Sequence, residues 1–256
     1  MSIVTVTYEG HVATVTLNRP DKMNAVTMEM LEGLAAAAAK IAASDARAVV
    51  LRGEGRAFCA GLDVMSFATL SPEGLLEPSH GEANIFQHAS LAWRGLDVPV
   101  IAALHHTCIG AGLQIALGAD IRIAAPGTKL SVMEMKWGLI PEMGGMTLLP
   151  ALVGADVMRR LIYTAEVLEA GEAQRLGLVT EAVEDPLARA TALATEIAGK
   201  SPSAIRAAKR LSRLAETAAT ADVLAAERAE QAALLGKPEM MEQVAANMAK
   251  RAPVFK

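Results

Sequence analysis

CIGAGLQIALGADI, residues Cys108–Ile121, is the stretch on which the fold turns. The apolar run VPVIAALHH before it reads as a buried strand. Gly110-Ala111-Gly112 then leaves the backbone nearly bare, LQIAL reads as a helix, and Ala119 to Ala124 reads as another strand. Strand, bare turn, helix and strand in succession describe a crossover unit, which places the chain among α/β folds. A small-residue turn running into a helix N-terminus exposes free N–H groups at the positive end of the helix dipole, a place that stabilises a developing oxyanion. The same residues also suit a helix packed tightly on a sheet. Gln114 is a polar amide set into this apolar run.

Working outward, Val4 to Tyr8 and Val12 to Leu17 alternate around Glu9-Gly10-His11 and predict a hairpin that Asn18-Arg19-Pro20-Asp21 ends. An amphipathic helix rich in Ala and Leu follows from Thr27 to about Ala43, then a buried strand at Val49-Val50-Leu51 ending at Gly53. Ser71 to Glu82, polar and containing Pro and Gly, reads as a mobile loop, and Ala83 to Leu96 as helix. Beyond Asp156 the pattern is nearly all helical, with breaks expected at Gly171, Asp185-Pro186, Ser201-Pro202 and Lys237-Pro238.

Composition narrows the function. The 256 residues can bury a real core, and with 52% hydrophobic but only 3% aromatic residues that core is built from Ala, Leu, Val, Ile and Met. A net charge of −4 with scattered Lys and Arg disfavours nucleic acid. The N-terminus alternates like strand rather than showing a basic leader, and no apolar run approaches membrane-spanning length, so a soluble, cytoplasmic protein with no membrane partner is expected. Cys59 and Cys108 lack metal-type spacing, and adjacent His105 and His106 would point to opposite faces of a strand. No metal is expected.

Two further motifs could carry chemistry. GEGRAFCAGLD, Gly53–Asp63, follows the Val49–Leu51 strand, and its small residues allow backbone amides to approach a ligand oxygen or simply allow a tight packing turn. MEMKWGLIPEMGG, Met133–Gly145, sets Glu134 and Glu142 among apolar residues. A carboxylate in an apolar pocket has its charged form disfavoured, which moves its pKa toward the range useful for proton transfer; solvated glutamates in a loop are the alternative.

These three motifs, in this order, resemble the crotonase (enoyl-CoA hydratase/isomerase) superfamily, and LNRPDKMNAV (17–26), EAQRLGLV (172–179) and AKRAPVFK (249–256) extend the likeness over nearly the whole chain. The resemblance implies a spiral of ββα-type repeats over residues 1–200, a C-terminal helical oligomerisation region over 201–256, and assembly as a homotrimer or dimer of trimers. It implies an acyl-CoA thioester as substrate and no separate cofactor, because coenzyme A arrives as part of the substrate. Matching motif positions puts the amides that hold the thioester oxygen at Leu62 and Ala111, beside Gly110. It puts the CoA-binding backbone around Lys22, Met23 and Ala60, with Phe255 and Lys256 as counterparts of a C-terminal aromatic and lysine that approach CoA, either within the chain or from a neighbouring subunit.

Family hydratases place one glutamate just after the second glycine-rich turn and another in the following segment. Here the first is Gln114, which cannot exchange a proton at neutral pH, and the second is Glu134. Glu142 aligns with an acidic residue of dienoyl-CoA isomerases. The resemblance therefore favours double-bond isomerisation, with Glu134 removing the proton next to the thioester and Glu142 returning one farther along the chain. Hydration by Glu134 and Glu142, or acyl-CoA binding without efficient chemistry, are the alternatives. Gln114 either orients substrate or Glu134, or is a buried amide satisfied by backbone.

Overall fold

The computed structural model describes residues 2–65 and 72–255. β1 (Val4–Glu9) and β2 (Val12–Leu17) pair antiparallel, Val4 opposite Leu17 and Glu9 opposite Val12, with Gly10 turning the chain at φ +54°. Thr27 caps α1 (Met28–Ala42) by accepting from the Met30 N–H, and the helix buries Met30, Leu31, Leu34, Ala37, Ala38 and Ile41 along one stripe. Next come β3 (Ala48–Gly53), α2 (Pro72–Leu76), α3 (Ile85–Gly95), β4 (Val100–Leu104), β5 (Thr107–Ile109), α4 (Ala111–Leu117), β6 (Ile121–Ala124) and β7 (Lys129–Ser131). The chain then forms α5 (Gly145–Leu148), α6 (Ala155–Thr164), β8 (Leu168–Glu169), α7 (Ala170–Leu176), β9 (Glu181–Ala182), α8 (Pro186–Ala198), α9 (Pro202–Ala215), α10 (Thr220–Leu234) and α11 (Pro238–Met248).

The main sheet runs β1-β2-β3-β4-β6-β9, parallel from β2 onward, and β5-β7-β8 form a second small sheet. Strand residues of the main sheet alternate between two cores. Val15, Val49, Leu51, Ala102 and Leu104 face α1, α3 and α4, whereas Ala48, Val50, Ile101, Ala103 and Ile123 face Ala190, Ala194 and Ala198 of α8. Burial on both faces is why β3 and β4 read as continuous apolar runs. Beyond residue 200, Lys209 on α9 donates to Trp93 O (3.1 Å) and Val98 O (2.8 Å) and pairs with Asp120 at 2.8 Å, which fastens that helix to the body. α10 buries none of its residues within this chain.

The structure corrects several expectations. Ser71 lies outside the described residues, and the rest of Ser71–Glu82 is not loop throughout: Pro72–Leu76 is helix and His80 forms a β-bridge with Ala83. Gly171 does not break a helix; it lies inside α7, with nothing within 4 Å of the position a Cβ would take. The other three breaks do fall where expected, with Asp185, Ser201 and Lys237 as the N-caps of α8, α9 and α11 and Pro186, Pro202 and Pro238 in first-turn positions that need no N–H partner. The short strands β8 and β9 interrupt the helical run. His105 and His106 lie between β4 and β5 rather than on a strand. His105 Nε2 contacts Gly55 O at 3.0 Å, and His106 sits at φ +55° against Thr107.

Gly112 is where α4 meets the neighbouring turn: an added Cβ would stand 2.6 Å from Cys59 Cβ and 2.8 Å from Cys59 O and Sγ. Gly112→Ala is expected to cost about 1–3 kcal/mol of unfolding free energy by overpacking. Gly171→Ala should leave it unchanged or raise it by up to about 1 kcal/mol. Urea unfolding of the two variants checks this, and equal effects would overturn the packing argument.

Candidate active site

Asn24 assembles the first turn. It is fully buried at φ +54°, and its Nδ2 donates to the carbonyls of Glu54 (2.9 Å), Ala57 (2.8 Å) and Phe58 (3.1 Å) while its Oδ1 accepts from the Arg19 N–H at 2.8 Å. Arg19 in turn bonds Ala25 O and pairs with Asp63 at 2.6 Å. The Gly53–Asp63 loop is thereby laid against residues 22–26: Ala60 N–H donates to Met23 O (2.9 Å), Val26 N–H to Gly61 O (2.8 Å) and Asp63 N–H to Val26 O (2.9 Å). Its other edge pairs with β5, through Cys59 N–H to Thr107 O (2.9 Å) and Ile109 N–H to Cys59 O (3.2 Å).

That pairing brings the two glycine-rich turns together. Gly61 stands at φ +94°, and a Cβ there would lie 3.1 Å from Ile109 O and 3.9 Å from Ala111 N. Gly110, at φ +52° and ψ −126°, adopts a conformation open essentially to glycine as α4 begins. Neither the Leu62 nor the Ala111 N–H has an acceptor among the described residues. Both residues line one cavity of about 460 Å³.

Gln114, in the first turn of α4 and only 2% exposed, closes the back of that cavity. Gly145 N–H donates to Gln114 Oε1 at 3.0 Å, and this fixes which way the amide faces, so that its NH₂ points at Glu134 and Nε2 donates to Oε1 at 2.6 Å. A Cβ at Gly145 would come within 2.8 Å of Gln114 Oε1, so any larger residue here has to displace the amide. Gln114 thus accepts from a backbone N–H through its oxygen and donates to Glu134 through its NH₂.

Glu134 opens the short turn Glu134–Trp137, which Gly138 closes at φ +72°. Its Oε2 is buried and has no hydrogen-bond partner among the described residues. Burial pushes the Glu134 carboxyl above its usual pKa, opposed by a hydrogen bond from its own backbone and by Gln114. Glu142 shares the cavity; Asn84 Nδ2 donates to its Oε1 at 2.7 Å, and burial again raises its pKa against that hydrogen bond.

Leu62, Ala60, Gly110, Ala111, Gln114, Glu134 and Glu142 therefore converge on one cavity. Met23 contributes the carbonyl that holds Ala60, in the exposed turn that also carries Lys22, and neither side chain lines the cavity. Phe255 does not line it either: it sits 5.6 Å from the Arg47 guanidinium, which also donates to its carbonyl. Lys256 lies outside the described residues. Sequence reasoning missed Asn24, Asn84 and the apolar wall of Leu75, Phe86 and Met143. For Asn84 a signal existed, because Asn84 and Gln87 form a capping box at the start of α3. A second cavity, of about 370 Å³ beside α9, holds charges that are already paired, Lys209 with Asp120 and Arg94 with Glu216.

Residues 7–256 match the family model described as Enoyl-CoA hydratase/isomerase. The protein named Probable enoyl-CoA hydratase EchA14, from Mycobacterium tuberculosis (strain ATCC 25618 / H37Rv), is 32% identical over 250 residues, which span 95% of this chain and 96% of that protein. Among solved structures, enoyl-CoA hydratase from Bacillus anthracis aligns with a TM-score of 0.92 at 29% identity, covering 99% of each chain. Pseudomonas aeruginosa DspI aligns with a TM-score of 0.91 at 33% identity, covering 100% of this chain and 97% of its own.

A carboxyl whose pKa is raised by folding stabilises the fold fully only below its unfolded pKa, and that contribution is lost as pH rises through the folded value. Glu134→Gln removes the titration and keeps an oxygen for Gln114 Nε2. The variant is expected to gain melting temperature over the parent as pH goes from about 4 to 8, measured by calorimetry. A difference that does not vary with pH would contradict the burial argument.

Proposed function

Because the chain belongs to the enoyl-CoA hydratase/isomerase family and has the crotonase fold, we propose that this enzyme adds water across the 2,3 double bond of an enoyl-CoA thioester. The observation that carries the reading is Glu134 Oε2, buried and unpartnered on a carboxyl that burial pushes toward its protonated form. An acid of this kind suits delivery of a proton to the carbon next to a thioester carbonyl.

In the proposed step, ionised Glu142 takes a proton from water as the water oxygen bonds to C3. The double-bond electrons move toward the thioester, whose oxygen takes up negative charge, and protonated Glu134 gives its proton to C2. One water is added, and the two carboxyls reset by exchanging protons with solvent. The free N–H groups of Leu62 and Ala111 would receive the thioester oxygen, each donor contributing about 2.7–4 kcal/mol of transition-state stabilisation. Gln114 takes no part in proton exchange and holds Glu134 Oε1. Two of the proteins to which the chain is similar are named enoyl-CoA hydratases, which supports hydration over isomerisation.

One observation favours isomerisation as a second reading: an amide stands at Gln114, where family hydratases carry a glutamate. The protonation states are then reversed, with ionised Glu134 taking the C2 proton and Glu142 returning one farther along the chain. In either reaction the turn carrying Lys22, Met23 and Ala60 would meet the coenzyme A portion, and no separate cofactor takes part. Exposed Leu224, Leu235, Met241, Val244 and Met248, on or beside helices that bury little within this chain, support a homotrimer or dimer of trimers with C-terminal helices at the interface. The described residues contain no helix long and apolar enough to cross a membrane, and the buried free thiols of Cys59 and Cys108 suit a reducing cytoplasm.

Incubation with 2-enoyl-CoA thioesters is expected to give product heavier by one water, read by mass spectrometry. Unchanged mass with a moved double bond would transfer the assignment to isomerisation. Glu134→Gln should lower kcat by about 10²–10⁴-fold, and deuterium incorporation at C2 from D₂O should fall with it. Light scattering is expected to give three or six copies per particle, and a stable monomer would remove the oligomerisation role of the C-terminal helices.

A further inference from the structure

Asn84 is the least conspicuous residue near the cavity and the most fully committed. It is 3% exposed, and every polar atom it has is engaged. Its Oδ1 accepts the Gln87 N–H at 2.9 Å, capping α3, and its own N–H donates to Gln87 Oε1 at 3.1 Å. Its Nδ2 donates twice, to Leu75 O at 2.9 Å and to Glu142 Oε1 at 2.7 Å. Because the helix cap holds the carbonyl, the amide cannot turn over, and its NH₂ must face the carboxyl.

Gln114 holds Glu134 by the same logic. In both cases a backbone N–H anchors an amide oxygen, and the amide NH₂ takes Oε1 of a cavity-lining glutamate. Asn84 adds one link, since its second N–H reaches α2, whose Leu75 lines the cavity wall. One planar group thus ties together the start of α3, that wall and the Glu142 carboxyl.

We propose that Asn84 is the positioning residue for Glu142, committing Oε1 to a fixed donor and leaving Oε2 as the oxygen that exchanges a proton with water or substrate. Its catalytic consequence rests on the hydration reading above, in which Glu142 is the base. The other titratable groups lining the cavity are Glu134 and Lys136; on α3, His88 stacks instead on His80 with ring centroids 4.2 Å apart.

Asn84→Asp separates positioning from structure. Asp caps a helix as well as Asn does, so α3 keeps its acceptor. An oxygen then faces Glu142 where an N–H stood, and two carboxyls in contact titrate apart. Carboxyl ¹³C NMR of the full-length protein, with the Glu142 signal assigned by its loss in Glu142→Gln, should show the Glu142 midpoint about one to three pH units higher in Asn84→Asp. The acid limb of the kcat/KM profile should move with it, and by linkage the melting temperature should fall further below the parent's as pH rises above about 4. Asn84→Ser, which keeps a capping oxygen but has no amide, should move the midpoint in the same direction by less, and it serves if Asn84→Asp does not fold. In a Glu142→Gln background, Asn84→Asp should leave the pH profile unmoved.

An unchanged Glu142 midpoint in a variant that melts like the parent would overturn the proposal, as would a profile shift that persists without Glu142. If the midpoint moves but the parent turns over no enoyl-CoA, the positioning stands and the hydration reading falls. If the parent hydrates enoyl-CoA and the midpoint does not move, the reverse holds.

Discussion

The hydrogen bonds from Cys59 N–H to Thr107 O and from Ile109 N–H to Cys59 O hold the site together. They join the loop after β3 to β5, and so set two glycine-rich turns side by side at the same end of the main sheet. Each turn alone is a packing feature. Paired, they leave the Leu62 and Ala111 amides without an acceptor among the described residues, on the wall of one cavity. The closeness requires missing side chains, since Gly112 has no room for a Cβ against Cys59 and Gly61 has little against Ile109.

On the facing wall the governing constraint is electrostatic. Placing two carboxyls in a mostly apolar cavity disfavours their charged forms, and burial raises both pKa values. Gln114 and Asn84 moderate that effect with one donor each and at the same time fix orientation, because each amide has its oxygen anchored by a backbone N–H. The arrangement distinguishes the two oxygens of Glu134, one held by Gln114 and one with no partner among the described residues, which a freely rotating carboxyl would not do.

Much of the fold was legible in local pattern. The hairpin, α1, β3, α3 and β4 follow from period-two and period-3.6 alternation, and Thr27 marks the start of α1. The misreadings have specific causes. Gly171 was read as a helix breaker, yet it sits near the start of α7, where the cost is small. Pro72–Leu76 is helical within a polar, Pro-containing stretch, with Pro72 in the position a helix tolerates best. The contact of Phe255 with Arg47 is a different matter: it joins residues 208 positions apart within the chain, which no local pattern could announce.

The amino-acid sequence by itself determined most of the elements that form and where the backbone is bare. Those properties depend on residue type and short-range spacing. Only the tertiary structure decided that Gln114 faces Glu134 with its NH₂, that Asn84 does the same for Glu142, and that Oε2 of Glu134 is left without a partner among the described residues. The physical reason is that an amide has two chemically opposite ends, and which end meets a carboxyl depends on the backbone N–H that reaches the other. For Gln114 that N–H comes from Gly145, and only folding brings the two together.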